Sequence, residues 1–109
     1  MRDCVTVLTT VATAAEAYSL AKTLVERKLA ACVQSFPVTS CYFWDGKINN
    51  DAEILLFIKT RRELYEQTET AIRALNAYAT PEIICLPILT GSKPYLDWIF
   101  DVTEPAAKA

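Results

Sequence analysis

The residues of this chain best suited to chemistry are two glutamates set among strand formers. Glu53 directly precedes the apolar run Ile54-Leu-Leu-Phe-Ile58, and Glu82 opens the run Glu82-Ile-Ile-Cys-Leu-Pro87 straight after Pro81. A carboxylate within a strand is costly to bury unless it is paired or neutralised. Two readings stay open. In one, Glu53 and Glu82 face solvent or form structural ion pairs with Lys47, Lys59 or Arg61. In the other, they join Tyr42, Trp44, Lys47, Lys59 and Tyr78 in a polar and aromatic pocket, set between subunits, for a small ligand or ion. General acid–base catalysis would need shifted glutamate pKa values, and the sequence carries no sign of them. No catalytic residue is assigned, and the chain is read as not an enzyme.

Histidine is absent, which removes the commonest metal ligand and the commonest acid–base group near neutral pH. Cys4, Cys32, Cys41 and Cys85 form no C-x-x-C pair and stand among apolar neighbours. They read as buried free thiols packing as small hydrophobes. Disulfides do not suit a chain without a secretory pattern.

Composition narrows the class. The net charge of −2 argues against a nucleic-acid footprint, which is basic and clustered. No apolar run approaches the length of a membrane span, and the first residues lack a charged-then-apolar leader. The expectation is a soluble cytoplasmic protein that contacts neither nucleic acid nor membrane. With 109 residues it makes one domain, expected over 1–102, with a flexible tail over 103–109.

The elements that must position the glutamates start with a long β run folded back on itself. Cys32 to Trp44 forms one arm, Asp45-Gly46 the turn, and Lys47 to Thr60 the other. Asp-Gly supplies the two φ > 0 positions of a type I′ turn. Each arm is about twice the usual strand length, so the hairpin outreaches a domain of this size. Tyr42, Phe43 and Trp44 make its tip aromatic. An exposed apolar ribbon invites pairing, and a second subunit is expected to cover it. Pro37 marks an edge or a bulge in the first arm, and Asn49-Asn50-Asp51, poor strand formers, are expected to bend the second.

Elsewhere Cys4 to Val11 reads as a central strand. Thr13-Ala-Ala-Glu16 is a capping box before apolar residues at Ala17, Leu20, Ala21, Leu24 and Val25, with Arg27 and Lys28 in the last helical turn. Thr60-Arg-Arg-Glu63 reads as a second capping box before a helix with Leu64, Thr68, Ala71, Ile72 and Leu75 on one face. Asn76 to Pro81 is a loop, Glu82 to Pro87 a last buried strand, and Ser92-Lys-Pro94 the start of a short helix, Tyr95 to Phe100. The order strand, helix, strand, strand, helix, strand predicts an α+β fold, the ferredoxin-like α/β sandwich (βαββαβ) with an added C-terminal helix.

Several functions use that fold. A copper chaperone needs a paired-cysteine loop after the first strand, where this chain has Thr9-Thr-Val-Ala-Thr13. An RNA-recognition module needs aromatic and basic residues on a central strand, and Ile54 to Lys59 has one Phe. Acyl-phosphate hydrolysis needs a glycine-rich anion cradle, and the chain has only Gly46 and Gly91.

Five ordered blocks carry a resemblance. Leu29-Ala-Ala-Cys32-Val33, Tyr42-x-Trp44-x-Gly46-Lys47, Glu53 with Ile58-Lys59-Thr60, Tyr78-x-x-Pro81-Glu82-Ile83 with Pro87, and Tyr95-Leu96-x-Trp98 together resemble the CutA family of divalent-cation tolerance proteins. The resemblance implies a ferredoxin-like subunit in a tight homotrimer, similar to trimeric PII signalling proteins, with the hairpin mediating subunit contacts. It also implies copper or another divalent cation as ligand and no established reaction. Family members usually carry a histidine just before the tyrosine of the last-strand loop, where this chain has Asn76-Ala77. Some bacterial members carry a cysteine where it has Thr9. Glu82, Asn76 and Cys32 are left as candidate metal ligands. The alternative functions are a PII-like small-molecule signalling module and a structural trimer that anchors a partner protein.

Overall fold

Asp45 and Gly46 take φ of 54° and 74°, the pair of positive values a type I′ turn requires. They turn the chain so that Trp44 faces Lys47, and the two arms then pair without interruption to Cys32 opposite Lys59. The protein is described by a computed structural model that covers residues 3–105. In chain order it contains β1 (Cys4–Val11), α1 (Ala14–Glu26), β2 (Cys32–Trp44), β3 (Lys47–Arg61), a 3-10 turn (Arg62–Leu64), α2 (Tyr65–Leu75), β4 (Ile84–Pro87) and α3 (Lys93–Thr103). The strands form one antiparallel sheet in the order β2-β3-β1-β4. The result is a small α+β fold. The 13 residues of β2, at about 3.3 Å each, give an arm of roughly 43 Å, against a longest molecular dimension of 52 Å.

Strand alternation sorts the sheet into two faces. On one, Val5, Val7 and Val11 stand beside Leu56 and Ile58 and pack against Ala17, Leu20 and Leu24 of α1 and Ala71 and Ile72 of α2. Leu24, Leu56, Ile58 and Ile72 are wholly buried, and each such side chain stabilises the fold by about 1.5–3 kcal/mol. At one end the other face is covered by α3. There Cys4 and Ala31 pack with Ile99 and Phe100 of α3. The Arg61 guanidinium fastens that helix, donating to Thr103 Oγ1 and to the Thr103 carbonyl, each at 2.9 Å. Beyond α3 the register places Leu8, Leu55, Phe57, Phe36, Ile84 and Leu86 side by side on this face. Phe36, Ile84 and Leu86 are 47%, 46% and 44% exposed.

Several local expectations are corrected. Asn49-Asn50-Asp51 does not bend the second arm: β3 runs straight through, and the Asn49 amide donates to the carbonyls of Trp44 and Lys47 at 3.1 and 3.2 Å. Thr13 does cap α1, accepting from the Glu16 amide at 3.1 Å. Arg27 and Lys28, however, lie past the helix end. Lys28 takes φ 59°, its amide donates to Val25 O, and the Leu29 amide donates to Leu24 O, which is a Schellman closure with lysine where glycine is usual. Thr60 caps nothing. Pairing with β1 carries β3 on to Arg61, the Thr60 hydroxyl is buried without a partner among the described residues, and a 3-10 turn intervenes before α2.

The last strand is shorter and less buried than the sequence suggests. It begins at Ile84 and lies at a sheet edge, so Glu82 precedes it. The C-terminal helix is longer, because Phe100 and Thr103 find buried positions; Thr103 therefore belongs to the packed fold and not to a tail. The rest of the expected tail, 106–109, lies outside the described residues. Of the four thiols, Cys4 is buried, Cys32 and Cys85 are half-buried and Cys41 is exposed, so the expectation of uniform burial does not hold for Cys41. Among the described residues no helix is long and apolar enough to cross a membrane.

Candidate functional site

The hairpin register decides which side chains meet. Opposite pairs Val38–Glu53, Ser40–Asp51, Tyr42–Asn49 and Trp44–Lys47 alternate along the arms, so Ser40, Tyr42, Trp44 and Glu53 share one face. That face overlooks the end of β1. The loop between α2 and β4 folds over the same place. Asn76 holds it there: its Nδ2 donates to the Thr10 carbonyl at 3.1 Å, and its Oδ1 accepts from the Tyr78 amide at 2.8 Å. A cleft of about 540 Å³ results, walled by Ser40, Cys41, Tyr42 and Trp44 of β2, Glu53 of β3, Thr10 of β1, and Tyr78 to Thr80 with Glu82 from the loop.

Two tyrosine–carboxylate pairs shape its walls. Tyr42 donates its hydroxyl to Asp51 Oδ2. That bond, then burial, raises the Tyr42 pKa, and the charges of Asp51 and Glu53 add to the effect. Tyr78 is raised further, first by burial and next by the neighbouring Glu53 carboxylate. Both phenols are therefore neutral at ordinary pH, and the Tyr42 ring is tethered through its hydroxyl. The described wall residues include two glutamates and no lysine or arginine. The cleft is an acidic, aromatic recess.

Of the seven pocket residues expected from the sequence, the structure gathers Tyr42, Trp44, Glu53, Tyr78 and Glu82 round this cleft. Lys47 and Lys59 are not part of its wall. Lys47 sits opposite Trp44 at the hairpin tip. Lys59 lies six residues along β3 from Glu53, roughly 20 Å away, where its Nζ donates to the Tyr95 hydroxyl at 3.4 Å and stands 5.4 Å from that ring's centre. Arg61 pairs with Glu63 at 3.1 Å, so neither Lys59 nor Arg61 neutralises Glu53. The sequence does not single out Thr10, Ser40, Cys41, Ala79 or Thr80 as wall residues. Ser40 is two residues from Tyr42, and that alternation is the signal that points to it; Thr10 and Thr80 become neighbours only through the register and the folded loop.

The three candidate metal ligands do not converge. Glu82 is in the cleft. Both polar side-chain atoms of Asn76 are engaged in holding the loop. Cys32 pairs with Lys59 at the far end of β2. Among the described residues no three His, Cys, Asp or Glu side chains stand close enough to hold one ion. Copper sites draw on imidazole and several thiolates; the described cleft wall offers one thiol, Cys41, and no imidazole, which does not make such a site.

The folded chain can be set beside known proteins. A family model described as CutA1 divalent ion tolerance protein matches residues 5–102. The divalent-cation tolerance protein CutA of Archaeoglobus fulgidus is 43% identical over 89 residues, covering 82% of this chain and 87% of that protein. The protein of the same name from Thermus thermophilus is 43% identical over 98 residues, covering 89% and 95%. The solved structure of the periplasmic divalent cation tolerance protein CutA from Archaeoglobus fulgidus superposes with a TM-score of 0.91 at 38% identity, covering 95% of this chain and 100% of that one. Sequence and fold agree over the same residues that build the hairpin, the loop and the cleft, and the chain belongs to the CutA1 divalent ion tolerance protein family.

Proposed function

We propose that this chain acts as a homotrimeric, non-enzymatic cation-binding protein of divalent-cation tolerance, with the cleft between hairpin and loop as its binding site. The observation that carries the reading is the wall of that cleft: two glutamates, neutral phenols and no basic side chain among the described lining residues. Such a recess attracts cations and repels anions. Relatives named for divalent-cation tolerance support the same role. Hard carboxylate and hydroxyl donors favour Mg²⁺, Ca²⁺ or Mn²⁺ over copper.

The trimer belongs to this reading. The strand order β2-β3-β1-β4 with helices after β1 and β3 supports a ferredoxin-like sandwich built from two split βαβ units, the PII-like subunit shape. The row from Phe36 to Leu86 on the open face, with Phe43 at 73% and Trp44 at 54% exposure near the hairpin tip, is an apolar surface suited to burial between subunits. The cytoplasm is the proposed compartment on composition alone; the Archaeoglobus structure is called periplasmic in its own name.

A second reading is a PII-like small-molecule module. The cleft's volume of about 540 Å³ favours it, since ligand pockets span roughly 300–1,000 Å³.

The test is a calorimetric titration of the reduced, metal-free protein with Mn²⁺, Mg²⁺, Zn²⁺, Cu²⁺ and Cu⁺ in turn, with light-scattering mass measured on the same sample. A trimer that binds hard divalent ions, and loses that binding in Glu82→Gln, agrees with the proposal. A monomer, or a trimer that binds none of the ions, overturns it.

A further inference from the structure

We propose that the cleft between the hairpin and the α2–β4 loop takes a small organic ammonium cation. The inference rests on the cleft being the binding site and goes on to name the ligand class.

Charge comes first. Glu53 and Glu82 supply negative charge to a recess that has no lysine or arginine among its described lining residues. An anionic ligand would meet repulsion, and a neutral one would leave the carboxylates without a counter-charge as it displaced water. The walls come second. Tyr42, Trp44 and Tyr78 place aromatic rings from two separate segments around the same volume. Aromatic rings stabilise a cation over their faces, tryptophan most strongly, and an alkylammonium also buries its carbon chain against them. A bare metal ion makes no use of three rings.

Coordination is the third point. A Ca²⁺ or Mg²⁺ ion takes about six or more oxygen donors and would draw most of them from water here. Among the described residues no group of three acidic, thiol or imidazole side chains could hold one. An ammonium group has no such demand: two carboxylates and a few hydroxyls suffice as acceptors. The site is also ordered in advance. Tyr42 is tied to Asp51, while Asn76 fixes the loop that carries Tyr78. Rings held in place before binding lose little entropy on meeting a ligand. The volume of about 540 Å³ exceeds what a single ion fills and suits a short alkyl chain bearing its charge.

The experiment titrates the full chain in its native assembly with 1,4-diaminobutane, and with 1,4-butanediol as a neutral probe of the same length. Saturable binding of the diamine and none of the diol is expected. Glu82→Gln, at an exposed position, should weaken the diamine about tenfold, the loss expected for one charge-assisted hydrogen bond. Trp44→Phe should retain most of the affinity, and Trp44→Leu, measured where light scattering shows the assembly intact, should weaken it about fivefold. No saturation by the diamine, equal binding of the diol, or an unchanged affinity in Glu82→Gln overturns the proposal. Mn²⁺ titrated into the same sample separates the two levels: Mn²⁺ binding that depends on Glu82, without diamine binding, keeps the cleft as a cation site and removes the ammonium ligand. Absence of both from an intact assembly removes the cleft itself.

Discussion

Tyr78 on the α2–β4 loop and Glu53 on the second arm of the hairpin line the same cleft, close enough for the carboxylate to act on the phenol. Burial first, and Glu53 second, raise the Tyr78 pKa above its ordinary value near 10. The folded protein therefore keeps the proton that the unfolded chain releases. Stability from this group is fully present below pH about 10 and falls as pH rises above it, because the native state then binds more protons than the unfolded one. Tyr42 and Tyr65 are shifted in the same direction. Tyr78→Phe should flatten the decline above pH 10. Urea unfolding at pH 8, 10 and 11 checks it; an unchanged slope would show that Tyr78 does not contribute.

The Thr60 hydroxyl is buried with no hydrogen-bond partner among the described residues, on the core face opposite Val5. An unpaired buried hydroxyl costs about 1–3 kcal/mol, and valine has nearly the same shape. Thr60→Val should raise stability by about 1 kcal/mol. A melting temperature at or below that of the parent chain would mean the hydroxyl is satisfied in solution.

Lys28 closes α1 at φ 59°, a conformation that disfavours a Cβ by about 1–2 kcal/mol. Lys28→Gly should stabilise by about 0.5–1 kcal/mol once the greater freedom of glycine in the unfolded chain is counted. Lys28→Ala should bring no such gain. Differential scanning calorimetry of the two variants separates backbone relief from loss of the lysine side chain.

Trp44 is 54% exposed at the hairpin tip. Truncating an aromatic that anchors a subunit contact costs upwards of about 2 kcal/mol. Trp44→Ala should shift the assembly toward monomer on dilution, as read by light scattering. A variant that stays assembled at low concentration would place Trp44 outside the interface. Ile84→Asp, which sets a charge in the open apolar face, tests that face separately and should block assembly more severely.

The features legible in the sequence are those governed by nearest neighbours or by a fixed period. Asp45-Gly46 specifies its turn because both residues tolerate positive φ. Thr13 caps α1 because the amide it serves is three residues away. The alternation of β1 and the helical spacing of Ala17, Leu20 and Leu24 name their buried faces without reference to any partner. The five blocks around Cys32, Trp44, Glu53, Glu82 and Trp98 were enough to identify the family.

What tertiary structure decided lies wherever pairing with a distant strand outweighs local preference. Thr60 has the pattern of a helix cap, yet β1 reaches Arg61, and ladder bonds plus core burial exceed the about 1 kcal/mol a cap supplies. Asn49-Asn50-Asp51 stays extended because the ladder on either side is continuous. Lys59 leaves the expected pocket because six residues of strand separate it from Glu53. Thr10, Ser40 and Thr80 enter because register and the Asn76 anchor bring three distant segments to one recess. Local spacing carries no measure of such distances; only the folded register converts them into a site.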